Sequence, residues 1–171
     1  MSTRDTEFAA YVAARSAWLQ RTAYLMCGNR TLAEDLAQAA LVKLYVAWPR
    51  IQRRDAVDAY ARRTLARVCI DESRKPWRRE SMTTEHVPEQ ADIADPHGQV
   101  DDRAALLDAL RTLPDRQRVA IVLRHWQDLS VAEVADAMGC TESAVKTHTS
   151  RGMARLRAVL DDITITNGDP A

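Results

Sequence analysis

The residues best equipped for chemistry lie in the last third of the chain, in Thr141-Glu-Ser143-Ala-Val145-Lys146-Thr147-His-Thr-Ser150-Arg151. On a helix, Glu142, Ser143, Lys146, Thr147, Ser150 and Arg151 fall on the outer side. Hydroxyls that donate and accept hydrogen bonds stand there beside two cations. Such a face suits base edges and phosphates in the major groove of duplex DNA. Nothing comparable exists for catalysis. The sequence has no glycine-rich phosphate loop and no nucleophile motif, and His86, His97, His125 and His148 are scattered. Cys27, Cys69 and Cys140 are odd in number and far apart, without metal-ligand spacing; they read as small apolar residues of a reducing compartment. No catalytic residue, metal ion or cofactor is therefore expected, and the chain does not read as an enzyme.

The elements that must position that face are written just before it. Ser130 is placed to cap a helix, with Glu133 three residues on to complete a capping box and Leu129 as its hydrophobic staple. Ala135 is small where two helices approach, and Gly139 suits a helix end with positive φ. Thr141 then caps a second helix that Val145 anchors to the first. This is the spelling of a helix-turn-helix. A helical hairpin with glycine in its turn also occurs in proteins that bind no nucleic acid, so the rest of the chain bears on the choice.

The composition is that of an all-α protein. Apolar residues make up 46% of the 171, aromatic residues only 5%, and there are five glycines. No run alternates apolar and polar residues as a strand does, and none is long enough to span a membrane. Met1 is followed by Ser-Thr-Arg-Asp rather than a signal peptide, so a cytoplasmic protein without membrane contact of its own is expected. The net charge of zero hides segregation. Residues 1–80 hold 15 Lys and Arg against nine acids, residues 81–102 hold six acids and no Lys or Arg, and residues 103–171 balance at nine and nine.

Apolar spacing predicts a helix from residue 5 to about Cys27, a turn at Cys27-Gly28-Asn29-Arg30, and a second helix capped by Thr31 with Glu34 and stopped by Pro49. The second helix has more apolar residues than one face needs, which suits either a partner or two neighbouring helices. A third helix is expected from near Asp55 to about Arg74, with Val57, Tyr60, Thr64, Leu65, Val68 and Cys69 inward and its arginines outward, followed by a basic run around Trp77. Arginine, lysine and tryptophan together suit phosphates and stacked bases. Residues 81–102, with Pro88, Pro96 and Gly98, read as an acidic linker in coil. Asp101 or Asp102 is placed to cap a helix through Leu110, and Leu113-Pro114-Asp115 to restart another with Val119, Val122, Leu123 and Trp126 as its buried face. The recognition helix runs to about Leu160, and 161–171 reads as a disordered tail.

These pieces, in this order, resemble the extracytoplasmic-function (ECF) sigma factors of bacterial RNA polymerase, members of the sigma-70 superfamily. Ala33-Glu34-Asp35-Leu36-Ala37-Gln38 is similar to the family's signature in sigma region two. Asp58-Ala-Tyr60-Ala-Arg62-Arg63 followed by Cys69-Ile-Asp71-Glu-Ser-Arg74 is similar to its promoter-melting helix. Leu113-Pro114-x-x-Gln117-Arg118, Leu129-Ser130-x-x-Glu133-Val-Ala135 and Val145-Lys146-Thr147 are similar to sigma region four. The ending His148-Thr-Ser-Arg151-Gly152-Met-Ala-Arg155-Leu156-Arg157 is most similar to the SigE-like group of actinobacteria.

The resemblance implies two small helical domains, sigma region two in 1–80 and sigma region four in 103–160, joined by the flexible acidic linker 81–102. It implies that Glu34, Asp35, Gln38 and Lys43 meet the polymerase core, of which the β′ and β subunits are the partners. It assigns the −10 element and promoter melting to Tyr60, Arg62, Arg63, Arg67, Asp71, Arg74, Lys75, Trp77 and Arg78. The −35 element falls to Ser143, Lys146, Thr147, His148, Ser150, Arg151 and Arg155. The linker corresponds to the segment threaded toward the polymerase cleft, and any regulator, such as an anti-sigma factor, is expected to be a separate protein. The rival reading is a stand-alone helix-turn-helix regulator, which would need a dimerisation or sensor element that the sequence does not display.

Overall fold

The computed structural model describes residues 2–51, 53–77 and 100–167. Among them, regular structure is entirely helical. Helix α1 (Thr3–Cys27) begins slightly earlier than its apolar spacing suggests, because Ser2 and Asp5 form a capping box: the Asp5 amide donates to the Ser2 hydroxyl at 3.2 Å and the Ser2 amide to the Asp5 carboxylate at 3.1 Å. It ends at Gly28 (φ 72°), a left-handed position that favours glycine. Helix α2 (Arg30–Ala47) follows at once. Its cap is Asn29, whose side-chain oxygen accepts from the Leu32 amide at 2.8 Å, and not Thr31 with Glu34 as the capping-box spacing suggests. Gly28 turns the chain so sharply that the next residue is already extended and faces the free amides; Thr31 then lies inside the helix. Pro49 lies in a 3-10 turn, Trp48–Arg50, and a second such turn, Arg54–Ala56, leads into α3 (Val57–Ser73). These three helices pack on one another around Leu19, Met26, Leu36, Leu44, Leu65 and Ile70.

The second unit starts with α4 (Val100–Arg111), so the helix already includes Asp101 and Asp102 and reaches into the stretch read as linker. Residues 78–99, with Arg78 and the rest of that linker, lie outside the described residues, as do 168–171. Helix α5 (Asp115–Ile121) runs on into a π-helical turn, Val122–Trp126. Here the Gln127 amide reaches back five residues to the Val122 carbonyl at 3.0 Å. This wider turn overturns one expectation. Val119, Val122 and Leu123 are buried, but Trp126 is 53% exposed. The added residue breaks the 3.6 spacing and swings the indole off the buried face.

Helices α6 (Val131–Met138) and α7 (Glu142–Asn167) complete the unit. Helix α7 continues seven residues beyond Leu160, into the segment read as a disordered tail. Asp-Asp-Ile-Thr-Ile-Thr-Asn contains no glycine or proline, and extending an existing helix needs no new nucleus. Gly152 lets α7 cross closely over α5: a Cβ there would lie 2.6 Å from Ile121 Cδ1 and 3.3 Å from Gln117 Cβ.

The sequence leaves the placement of the two units open. In the structure they share one core, with α1 against α4 and α5, and α3 against α5 and α6.

Candidate nucleic-acid interface

The helix-turn-helix is built as its spelling requires. The Glu133 amide donates to the Ser130 hydroxyl at 3.1 Å, and the Ser130 amide donates to the Glu133 carboxylate at 2.7 Å. Leu129 and Val134 are buried on either side of the cap. Gly139 ends α6 with φ 65°, and the Cys140 amide returns to the Ala135 carbonyl at 3.1 Å. Thr141 caps α7 by accepting from the Ala144 amide at 3.1 Å. Val145 is fully buried and holds α7 down. The consequence is an exposed face carrying Ser143, Lys146, Thr147, Ser150 and Arg151 together. Arg155 is also exposed, whereas His148 is half-buried at the flank.

The backbone hydrogen bond from Ser130, followed by that residue's side chain, holds the Glu133 carboxyl below its ordinary value of 4.5. A carboxyl depressed on folding contributes its cap fully above the unfolded pKa and loses it as pH falls through the folded value. An NMR titration should therefore place the Glu133 midpoint below 4.5, and Glu133→Gln should remove this acid-limb contribution from α6. A midpoint at or above 4.5 would mean that the box does not persist in solution.

Helix α3 carries a second stripe. Tyr60, Arg63, Arg67, Asp71 and Arg74 recur at helical spacing, with Arg63 lying 5.2 Å from the Tyr60 ring. Arg67, Asp71, Arg74, Lys75 and Trp77 are exposed, and the Lys75 ammonium sits 5.0 Å from the Trp77 ring. Arg62 and Arg63 are half-buried rather than outward. Arg62 lies 5.9 Å from the Trp18 ring, and Arg63 pairs with Asp136 of α6 at 3.2 Å. At the start of α3, Asp58 accepts from the Tyr11 hydroxyl at 3.0 Å and pairs with Arg15; burial raises the Tyr11 pKa.

On α2, Glu34, Asp35 and Gln38 are exposed. Val42 and Val46, 64% and 65% exposed, extend that face, so the apolar excess of this helix is only partly absorbed by its neighbours. Lys43 is exposed too, but five residues beyond Gln38 it is turned roughly 140° round the helix. Three residues with no reading from sequence prove structural across the two units: Arg111, Asp136 and Gln127. Arg118, quoted only as part of a motif, is 5% exposed. Burial pushes the Cys69 thiol pKa up, in keeping with a packing role.

Two helical units, one closing in a complete helix-turn-helix and the other carrying a basic, aromatic stripe, define a DNA-binding transcription protein. The family models for sigma-70 region 2 and sigma-70 region 4 match residues 11–79 and 103–156. The RNA polymerase sigma-E factor of Streptomyces avermitilis is 39% identical over 91% of this chain and 86% of its own, and that of Streptomyces coelicolor 38% identical over 90% and 86%. The ECF RNA polymerase sigma factor SigM of Mycobacterium tuberculosis is 30% identical over 83% of this chain and 71% of its own. Among solved structures, the sigma factor RpoE in complex with the anti-sigma factor NepR from Bartonella quintana has the same fold, with a TM-score of 0.69, 24% identity, and coverage of 91% of this chain and 97% of that one. The chain belongs to the sigma-70 family of RNA polymerase sigma factors, with the two-region architecture of the ECF group. Its relatives are sigma factors, which are not enzymes, and no described helix is long and apolar enough to cross a membrane.

Proposed function

We propose that this chain acts in the cytoplasm as a non-enzymatic initiation factor, with three separate working faces. The exposed patch of Glu34, Asp35 and Gln38 on α2, continued by Val42 and Val46, grips a helical element of the polymerase core, with Lys43 at its margin. Acids and an amide beside exposed valines suit a helix-on-helix contact, in which apolar area supplies affinity and polar groups set register. The stripe on α3, with Arg62, Lys75 and Trp77 at its edges, takes the melted −10 strand, where cations hold phosphates and aromatic rings stack on bases; Arg78, outside the described residues, belongs to the same assignment. The outer face of α7 reads the −35 element in the major groove. The regions corresponding to 1–80 and 103–160 are the two working domains.

The observation that carries this reading is the fully formed helix-turn-helix, whose polar face is free, in a chain whose family is established along both units. A stand-alone regulator would leave the exposed face of α2 unexplained. The NepR complex of the Bartonella relative is consistent with regulation of this chain by a separate anti-sigma protein.

Run-off transcription with actinobacterial core polymerase over a library of promoter fragments tests the function. Initiation that depends on this chain is expected. Asp35→Ala with Gln38→Ala should weaken core binding at least tenfold while leaving DNA binding by the isolated chain unchanged; unchanged core affinity would remove this face from the assignment.

A further inference from the structure

The helix-turn-helix carries a carboxylate at the start of each of its helices, and the fold uses only one of them. Glu133 is the third residue of α6, where it closes the capping box with Ser130. Helix α7 has no such box. Thr141 caps it, with its hydroxyl accepting from the Ala144 amide at 3.1 Å and its carbonyl from the Val145 amide at 3.1 Å. The third residue is therefore Ala144. Glu142 is the first, too early to reach back to the amide of the cap. Its side chain is exposed, and among the described residues no hydrogen bond or ion pair engages its carboxylate. It lies roughly 40° round the helix from Lys146 and roughly 80° from Ser150, so it adjoins the polar face at its leading end.

We propose that Glu142 is a specificity-determining residue that selects cytosine at one position of the −35 element. The proposal rests on the reading of α7 as the −35 helix. The first residues of a recognition helix are those that reach base edges. An ionised carboxylate brings acceptors only. Among phosphates it opposes binding unless a base offers it a donor. Guanine presents O6 and N7, both acceptors, and thymine presents O4 and a methyl group. Adenine has its N6 amino group, but N7 beside it is an acceptor and faces the second carboxylate oxygen. Cytosine presents its N4 amino group with no acceptor next to it in the groove. One base therefore satisfies Glu142, and the other three leave a charge against acceptors, a methyl group or the backbone. Selectivity then comes from repulsion of the wrong sites as much as from attraction to the right one. The neighbouring hydroxyls of Ser143, Thr147 and Ser150 pair with donors and acceptors alike, so they cannot make this choice. Lys146 and Arg151, both exposed on the same helix, supply the attraction that an acid lacks.

The test is selection by holoenzyme, reconstituted from actinobacterial core polymerase and the full chain, from duplex promoters randomised across the −35 region. Wild type, Glu142→Ala and Glu142→Gln are compared. Promoters retained by the wild type should share a C·G pair at one position, and replacing that pair should weaken binding about 5- to 140-fold. Glu142→Ala should lose the preference at that position alone, and should bind promoters lacking the cytosine more tightly than the wild type does. Glu142→Gln should move the preference to adenine, whose N6 and N7 suit a side-chain amide. Helical circular dichroism should be the same in all three, since the side chain is exposed. A residue that only stabilised the first turn of α7 would lower helicity or thermal stability and leave every base preference in place. That pattern, or unchanged preferences in both variants, overturns the proposal while α7 remains the −35 reader. Lys146→Ala with Arg151→Ala on the same library tests α7 as a whole. If this variant keeps the wild-type −35 preferences, or the wild type has none, α7 does not read the element and the role of Glu142 falls with it.

Discussion

Alanine at both Lys146 and Arg151 is expected to lower promoter-specific transcription by at least about 30-fold, because each well-placed contact to a base or phosphate is worth about 1–3 kcal/mol. Both side chains are exposed on α7, and neither packs in the core on which its placement depends; Val145, Leu156 and the two helix caps do that work. Core binding and thermal stability should therefore stay at wild-type values. Phosphate contacts release counterions, so the slope of log affinity against log salt should also fall by about one to two. Unchanged transcription would mean that this face does not meet DNA. Loss of core binding in the same variant would point to misfolding.

The second large effect separates two neighbours on one helix. Leu123→Ala should cost about 2–5 kcal/mol, since Leu123 is fully buried in the shared core and its truncation leaves a cavity there. Trp126→Ala, three residues on, should lie within about 1 kcal/mol of the wild type, because half of the indole already faces solvent. Straight 3.6 periodicity would bury both side chains, with the tryptophan also costing about 3–5 kcal/mol on truncation. Urea denaturation of the two variants decides it. A Trp126→Ala loss as large as that of Leu123→Ala would mean that the π turn is absent in solution.

The exposed indole is also the clearest case of what local patterns miss. A π turn depends on which carbonyl the Gln127 amide finds, and that is decided by how the following segment packs, not by the spacing of apolar residues. The cap of α2 is a milder example. Asn29 and Thr31 are both good caps, and only the sharp turn at Gly28 selects the earlier one.

Much of this protein is written in its sequence alone. The helix-turn-helix was readable because its signals are local: Ser130 with Glu133, Gly139, Thr141 and Val145 each act within about one turn of themselves. The all-helical class and both family signatures were readable for the same reason, as short patterns at helical spacing. The relation between the two units was not. Arg111, Arg118 and Asp136 look like ordinary charged positions of amphipathic helices, and nothing near them in sequence says that their partners lie at Tyr24, Met26, Gly28, Arg63 and Arg67. Those contacts span 69 or more positions of the chain, and they exist only once two helix ends lacking their own basic caps are brought against the other unit. Local hydrogen bonding and apolar period set the helices; the apolar core shared by the two units and the arginine contacts to helix ends across it, available only in three dimensions, decided how the two units meet.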